Sequence, residues 1–253
     1  MSLLEVENLW VRFPIRQGIF DAVRGVSFAL ERERLGIVGE SGSGKSMTGR
    51  AILRLIRKPG IVEADAIRLE GRNLLELSEP EMRKVRGQKI SMVMQDPKFS
   101  LNPVMTIGDQ IMESYLLHNN TSKAQARAKA TALLERVGLA ERITHYPNQL
   151  SGGEQQRVAI ARAFATEAKI LFADEPTGNL DTATGAKIVE LIFDLNKEFS
   201  TTLVLVTHDE RLAQRCGRIV RLIAGEIESD SGSPQGAASN NANASESTES
   251  ASA

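Results

Sequence analysis

The sequence has a single cysteine, almost balanced charges and no long apolar run. Cys216 is the only cysteine in 253 residues, which rules out an internal disulfide and suits a reducing compartment. No apolar stretch approaches the roughly 20 residues that span a bilayer. The net charge of −1 gives no indication of broad binding to nucleic acid or to anionic membranes.

The two ends of the sequence suggest where the protein works and how far its ordered part extends. The first seven residues lack the basic start and the apolar centre of a signal peptide. If the protein serves a membrane process, we expect it to dock from the cytoplasmic side. Residues 231–253 consist mainly of Ser, Ala, Asn, Gly and Glu, with no large apolar side chain to offset the entropy of ordering. We therefore predict one domain over residues 1–229 and a disordered tail over residues 230–253.

The N-terminal part of the chain changes from strand-like alternation to helical spacing. Apolar and polar residues roughly alternate over residues 3–13 and 22–30, which predicts half-buried antiparallel strands. The apolar run 35–38 predicts a buried strand. The spacing over residues 45–56 predicts a helix that stops before Pro59.

Further strand–helix units follow a helical middle. Ser122 and Gln125 form the pattern of a capping box, and we expect a helical lobe over about residues 100–165. The predicted strands 169–173 and 203–206 are each followed by helical spacing. Strands that alternate with helices indicate a parallel sheet covered by helices. The expected fold class is α/β, with a parallel-sheet core, an antiparallel annex at the N-terminus and a helical lobe.

A glycine-rich segment between the strand at 35–38 and the next helix matches the P-loop pattern. Glycines let successive backbone N–H groups face phosphates, and the helix N-terminus adds positive potential. We expect Lys45 to reach the β- and γ-phosphates and the Ser46 hydroxyl to bind Mg²⁺. The expected ATP-binding residues are Gly39, Glu40, Ser41, Gly42, Ser43, Gly44, Lys45 and Ser46.

Two acidic residues follow the predicted strand at 169–173. Ligands of such folds bind at the carboxyl ends of the parallel strands. We expect Asp174 to hold Mg²⁺, directly or through water, and Glu175 to accept a proton from the attacking water or to orient it. An acidic pair after a strand means little alone, but together with a P-loop it indicates a nucleotide hydrolase.

A second glycine-containing motif resembles the signature of ABC ATPases: Leu150-Ser151-Gly152-Gly153-Glu154-Gln155-Gln156-Arg157. The resemblance covers about residues 3–228 and implies a RecA-like P-loop NTPase core. It also implies that Ser151, Gly152 and Gly153 open a helix whose N-terminus points at a γ-phosphate, as in the P-loop.

Other positions match further motifs of this family. The resemblance implies that Gln95 is the Q-loop glutamine, which senses Mg²⁺ and water, and that Asp181 lies in the D-loop, which crosses to the opposite subunit. It implies that His208 is the switch histidine, which contacts the γ-phosphate. For the aromatic side chain that stacks on adenine we choose Phe13, with Phe20 as the competitor. Either could instead be a core residue of the annex.

The two halves of the chain resemble different subfamilies. Residues 36–113 are similar to ATPases of dipeptide and oligopeptide importers, and residues 149–226 look more like lipoprotein-releasing and macrolide-export ATPases. Importer ATPases of the peptide type usually carry a further C-terminal extension, whose place is taken here by low-complexity sequence. That difference counts against peptide import. Following the N-terminal half, we predict peptide or related small-solute import, with lipoprotein or lipid extraction, or efflux, as the alternative.

The resemblance also implies an assembly. Two copies arranged head to tail would hold two ATP molecules with Mg²⁺, each between Lys45 of one copy and Ser151 of the other. The second ATPase subunit is either identical or a related chain, and transmembrane permease subunits would dock near residues 100–105. We expect no nucleic-acid partner and a peripheral location on the cytoplasmic face of the inner (plasma) membrane.

Two other classes compete with a transport ATPase. ABC ATPases of DNA repair or translation usually carry a coiled-coil insertion or two fused ATPase domains, and this chain has one set of motifs. A regulatory subunit that binds ATP without hydrolysing it would be favoured by a missing acid or histidine. Glu175 and His208 are both present, so we expect an active ATPase.

Overall fold

The computed structural model describes residues 2–232, and the predicted tail beyond Gly232 lies outside the described residues. The strands are β1 (Leu4–Ile15), β2 (Gly18–Leu30), β3 (Arg34–Val38), β4 (Ile61–Glu63), β5 (Ala66–Leu69), β6 (Arg72–Asn73), β7 (Ile90–Val93), β8 (Ile170–Asp174), β9 (Thr202–Thr207), β10 (Arg218–Ile223) and β11 (Glu226–Asp230). The helices are α1 (Lys45–Ile52), α2 (Glu79–Gln88), α3 (Ile107–His118), α4 (Lys123–Arg136), α5 (Gly152–Ala165), α6 (Thr182–Phe199) and α7 (Glu210–Ala213). Within the described residues the chain divides into two compact units, one of residues 2–72 and 207–232 and one of residues 73–206.

The first unit contains the antiparallel annex. Strand β1 pairs antiparallel with β2, β4 and β5. The buried side chains of β1 are Leu4, Val6, Leu9 and Val11. Their alternation shifts by one residue between Val6 and Leu9, because Asn8, in the left-handed conformation with φ 52°, lies at a register shift. The same unit pairs β10 in parallel with β3 and antiparallel with β11.

The second unit contains parallel strands and the helical lobe. Strand β8 pairs in parallel with β7 and with β9. All five residues of β8 are buried, as expected for a strand of a parallel sheet that is covered on both faces. Helices α3, α4 and α5 pack against one another and form the lobe. The expected α/β fold class, with a parallel core, an antiparallel annex and a helical lobe, is confirmed.

The capping box at the start of α4 forms as the sequence suggests. The backbone N–H of Gln125 donates to Ser122 Oγ at 3.2 Å, and the backbone N–H of Ser122 donates back to Gln125 Oε1 at 3.0 Å. This reciprocal pair satisfies two of the N–H groups that a helix start leaves without a partner in the helix.

Two boundaries differ from the expectation. Helix α1 ends at Ile52, four residues early, because Arg54 takes the left-handed conformation with φ 53°. Strand β11 reaches Asp230, the first residue that we assigned to the tail, where its carboxylate accepts a hydrogen bond from Arg218 Nε at 2.7 Å. Arg218 also donates to the Ala29 carbonyl at 2.7 Å and so ties β10 to the end of β2.

No helix among residues 2–232 is long and apolar enough to cross a membrane.

Candidate nucleotide-binding site

The P-loop lies between β3 and α1, and its backbone conformation requires glycine. Gly39 has a φ of +155°, and a Cβ there would lie 2.1 Å from the carbonyl oxygen of Leu222 in β10. Gly44 has a φ of +93°, and a Cβ there would lie 2.5 Å from the carbonyl oxygen of Ala22 in β2. Both approaches are shorter than any side chain tolerates, so the loop packs tightly on its supporting strands.

The side chain of Lys45 turns back over this loop. Its ammonium donates to the carbonyl oxygens of Gly39 at 2.8 Å and Glu40 at 2.7 Å, and the residue is only 4 % exposed. Ser46 follows in the first turn of α1. The N-cap residue of α1 is Gly44, which has no side chain to cap the helix, and the first turn contains no acidic residue. An uncapped helix start with a buried lysine beside it is suited to bind an anion such as phosphate.

The two candidate adenine-stacking residues lie opposite each other in the annex. Phe13 of β1 and Phe20 of β2 are register partners, so their side chains project from the same face of the sheet. Phe20 is 52 % exposed. Phe13 is half-buried, and its ring packs so closely on Gly60 that a Cβ there would lie 2.8 Å away. The choice of Phe13 stays a prediction.

His208 lies directly after β9, in the first unit, and is exposed. The turn around it is held by two hydrogen bonds. The backbone N–H of Asp209 donates to Thr207 Oγ1 at 3.0 Å, and the Asp209 carboxylate caps α7 by accepting from the backbone N–H of Arg211 at 2.8 Å. These bonds fix the backbone on both sides of the histidine while its ring stays accessible.

The acidic pair stands at the end of β8 in the second unit. Asp174 is fully buried. Glu175 adopts the left-handed conformation with φ 43°, and its backbone N–H donates to the Val206 carbonyl at 2.9 Å. Positive φ is uncommon for a residue with a Cβ, and such backbone strain is concentrated at functional sites.

Gln95 and Glu175 are in direct contact. Gln95 Nε2 donates to Glu175 Oε2 at 3.1 Å. A Cβ at Gly178 would lie 3.0 Å from Gln95 Nε2, so a glycine at this position leaves the amide its space. The second unit therefore brings together the predicted Q-loop glutamine and the predicted general base.

The signature motif forms the start of α5. Ser151 is the N-cap residue, and the backbone N–H of Glu154 donates to its Oγ at 3.3 Å. Glu154 Oε2 accepts from the backbone N–H and from the hydroxyl of Ser151, both at 2.8 Å. A Cβ on Gly153 would lie 2.8 Å from Thr184 Cγ2 of α6, so this glycine lets α5 and α6 approach closely.

Asp181 caps α6, the helix that Gly153 approaches. Its Oδ1 accepts from the backbone N–H of Thr184 at 2.9 Å. The hydrogen bonds from Thr184, with those from neighbouring backbone groups, lower the pKa of Asp181 below its usual value, so the carboxylate stays ionised at neutral pH. The predicted D-loop residue thus has a clear structural role in capping its helix.

A cleft of about 290 Å³ separates the Q-loop from the start of α5 within the second unit. It is lined on one side by Gln95, Asp96, Pro97 and Lys98, and on the other by residues that include Gly152 and Gln156.

The sequence alone did not assign a role to Glu154. The signal was present, because a serine followed three residues later by glutamate is the capping-box pattern.

Each residue predicted to bind Mg²⁺ carries an oxygen donor of the kind that Mg²⁺ takes. Ser46 has a hydroxyl, Gln95 a side-chain amide and Asp174 a carboxylate. Residues 2–232 contain no cluster of three or more His, Cys, Asp and Glu side chains that could hold a metal ion without other donors.

A glycine loop with a buried lysine at an uncapped helix start, together with a buried strand that ends in two carboxylates, defines the class as a P-loop nucleotide hydrolase. The family model described as ABC transporter matches residues 23–178. The chain belongs to the ABC transporter family of ATP-binding proteins.

Individual relatives are similar over most of the chain. The oligopeptide transport ATP-binding protein OppD of Bacillus subtilis is 46 % identical over 231 residues, which are 89 % of this chain and 64 % of the relative. The dipeptide transport ATP-binding protein DppD of Escherichia coli is 44 % identical over 232 residues, which are 90 % of this chain and 71 % of the relative. The chain thus spans about two thirds of the length of these relatives, and the similarity extends through both halves of the sequence.

Solved structures of the family share the fold. A dimeric structure of a bacterial ABC transporter cassette matches with a TM-score of 0.79 and 35 % identity over 90 % of this chain and 97 % of the cassette. A dimeric cassette in a post-hydrolysis state, bound to ADP and phosphate, matches with a TM-score of 0.78, also at 35 % identity, over the same 90 % and 97 %. The resemblance to ABC ATPases inferred from the sequence is confirmed.

Proposed function

We propose that this chain binds ATP with Mg²⁺ and hydrolyses it, as the ATPase subunit that powers a transporter. The observation that carries the proposal is the P-loop, where Lys45 lies buried over Gly39 at the uncapped start of α1. Backbone N–H groups and an ammonium at one helix start provide the positive potential that a triphosphate needs.

We assign the general base of hydrolysis to Glu175, in the second unit. Ser46, Gln95 and Asp174 would hold Mg²⁺, whose charge neutralises that of the phosphates. Glu175 would accept a proton from the attacking water or orient it, and Gln95 would hold the Glu175 carboxylate in place through their hydrogen bond. His208 would contact the γ-phosphate, and Phe13 would stack on adenine.

The active form in this proposal is a dimer. Ser151, Gly152 and Gly153 of one copy would bind the γ-phosphate of the ATP held by the other copy's P-loop, and Asp181 would lie at the same interface. Both similar cassettes at 35 % identity are dimeric. ATP would hold two helix N-termini together, and hydrolysis would remove the charge that attracts them.

The transport role follows the relatives' names. Oligopeptide and dipeptide transport proteins are similar over 89 % and 90 % of this chain, which favours peptide or related small-solute import over lipoprotein extraction or efflux. The motifs within residues 149–226 support that second candidate. Transmembrane permease subunits would dock near residues 100–105, where the side chain of Val104 is 78 % exposed. The protein would then work as a peripheral subunit on the cytoplasmic face of the membrane.

The first test is nucleotide binding by a Lys45→Ala variant. We expect the dissociation constant of ATP to rise at least about 30-fold, because the ammonium is the one side-chain cation in the loop. Lys123→Ala, on an exposed helix start, is the matched control and should bind ATP like the unchanged protein. Equal affinity in both variants would contradict the proposed site.

The second test identifies the partner. Purification in detergent should bring down a polytopic membrane protein with this chain, and its identity would separate peptide import from efflux. Co-purification of nucleic acid or ribosomes instead would favour a non-transport ATPase.

A further inference from the structure

Ser151, which the proposed function places on the γ-phosphate, has its donors engaged within its own chain. Its hydroxyl donates to Glu154 Oε2 at 2.8 Å, and its backbone N–H donates to the same oxygen at 2.8 Å. The side chain of Ser151 is exposed and that of Glu154 is half-buried. One carboxylate oxygen therefore takes up two donors at the helix start that is meant to receive a phosphate.

The carboxylate and a phosphate are competitors in two respects. The single hydroxyl proton of Ser151 must leave Glu154 before it can be donated to a phosphate oxygen. The ionised carboxylate also brings a negative charge to the helix N-terminus, where the positive end of the helix dipole would otherwise attract the phosphate alone. Carboxylate and phosphate are both charged acceptors, so the strong hydrogen bond that Ser151 loses to Glu154 offsets much of the one that it gains from the phosphate.

Resting on the proposed function, we propose that Glu154 sets the affinity of the signature helix for ATP by competing with the γ-phosphate for the donors of Ser151. Glu154 is a positioning residue in this role, since it acts through Ser151. Its charge keeps ATP-driven association of two copies weak enough to reverse after each hydrolysis. The residue at position 154 of the signature motif thus determines how tightly the ATP-bound dimer forms.

The surroundings keep this carboxylate charged. The backbone and side-chain hydrogen bonds from Ser151 are the main cause that lowers the pKa of Glu154, with smaller contributions from Arg142 and Arg157. The carboxylate is therefore ionised at every pH at which an ATPase would be tested. Protonation does not relieve the competition, and only a substitution tests it.

The decisive variant is Glu154→Gln in a Glu175→Gln background that blocks hydrolysis. Glutamine keeps the capping box, because its amide oxygen accepts from Ser151 while the charge is lost. Glu141→Gln is the matched control. Glu141 lines the same surface hollow as Glu154, but the capping-box hydrogen bonds of Ser151 go to Glu154. Dimer dissociation constants are measured with Mg²⁺ and ATP by sedimentation, at low and at high salt.

We expect Glu154→Gln to lower the dimer dissociation constant about tenfold at low salt, because each of the two ATP sites contributes a factor of about three. The gain should shrink at high salt, because salt screens a charge effect. Glu141→Gln should change the constant less than twofold. A Glu154→Gln dimer that is unchanged or weaker, or a gain that is independent of salt, would overturn the inference.

Failure of the proposed function would look different. A third variant, Ser151→Arg in the same background, should abolish ATP-driven association. If Ser151→Arg associates as tightly as the parent protein, the signature helix does not bind nucleotide and the proposed function itself is wrong. If Ser151→Arg blocks association while Glu154→Gln changes nothing, only the role of Glu154 is wrong.

Discussion

The Gln95 side-chain amide donates to the carboxylate of Glu175 across 80 positions of sequence, at 3.1 Å. The parallel register of β7 and β8 explains the contact, because Val93 pairs with Ala173 and each functional residue lies two positions further on. Residues that lie the same number of positions beyond a register pair, on neighbouring parallel strands, are close together at the carboxyl edge of the sheet. The pairing joins the predicted Q-loop glutamine to the predicted general base.

This pairing can be tested with Gln95→Met, which keeps the size of the side chain and removes its amide. We expect the turnover number for ATP to fall about tenfold or more, because Glu175 loses the donor that orients it. The dissociation constant of ATP should change much less. Phosphate release and nucleotide titration measure the two quantities, and Gln214→Met, at an exposed position, is the control. A Gln95→Met protein with normal turnover would remove the positioning role.

The base role predicts a separate outcome for Glu175→Gln. We expect hydrolysis to fall by a factor of about 10² to 10⁴, the usual contribution of a general base, with ATP binding retained. Glu135→Gln, exposed on α4, should hydrolyse ATP at the rate of the unchanged protein. Phosphate release under single-turnover conditions separates the chemical step from product release. Near-normal turnover in Glu175→Gln would assign the base to another residue.

The packing of the P-loop predicts a stability effect that is independent of ATP. Gly39→Ala places a Cβ 2.1 Å from the Leu222 carbonyl oxygen at a φ of +155°. We expect a loss of about 3 kcal/mol or more in the free energy of unfolding, from steric overlap and backbone strain. Gly217→Ala meets no atom within 4 Å and should change this free energy little. Urea unfolding followed by circular dichroism measures both, and equal midpoints would contradict the packing.

The reactivity of Cys216 tests the burial of the first unit. Burial raises the pKa of its thiol from 9.0 to about 11, so at pH 8 the thiolate fraction is about 100-fold lower than in the unfolded chain. We expect alkylation by iodoacetamide to be at least that much slower in the native protein than in urea. The native rate should keep rising about tenfold per pH unit from pH 8 to 10, while the rate in urea levels off near pH 9. Equal rates at pH 8 would show an exposed thiol.

Local patterns in the sequence predicted the elements that depend on local causes. The capping box at Ser122, the buried strand before Asp174 and the glycine turn of the P-loop all depend on residues close to one another in the chain. The early end of α1 was missed, since the left-handed Arg54 has no signal in residue type. Local chemistry thus gives an element's type more readily than its end.

Contacts between residues far apart in the chain were harder to predict from the sequence. The motifs named Gln95 and Glu175 separately, but their hydrogen bond depends on the register of two strands that no local pattern specifies. Phe13 and Phe20 could not be separated from the sequence, and the structure shows why, because they are register partners on one face of the annex. The contact of Glu154 with Ser151 was within reach of the capping-box pattern, but only the distances show that both donors of Ser151 are taken.

The most direct test of the account is the state of a Glu175→Gln protein loaded with Mg²⁺ and ATP. Sedimentation over a concentration series should show a monomer–dimer equilibrium that requires ATP and disappears in the Glu175→Gln, Ser151→Arg double variant. A structure of that dimer should place each triphosphate against Lys45 of one copy and Ser151 of the other. ATP bound to a monomer at every concentration, with the phosphates touching one chain alone, would contradict it.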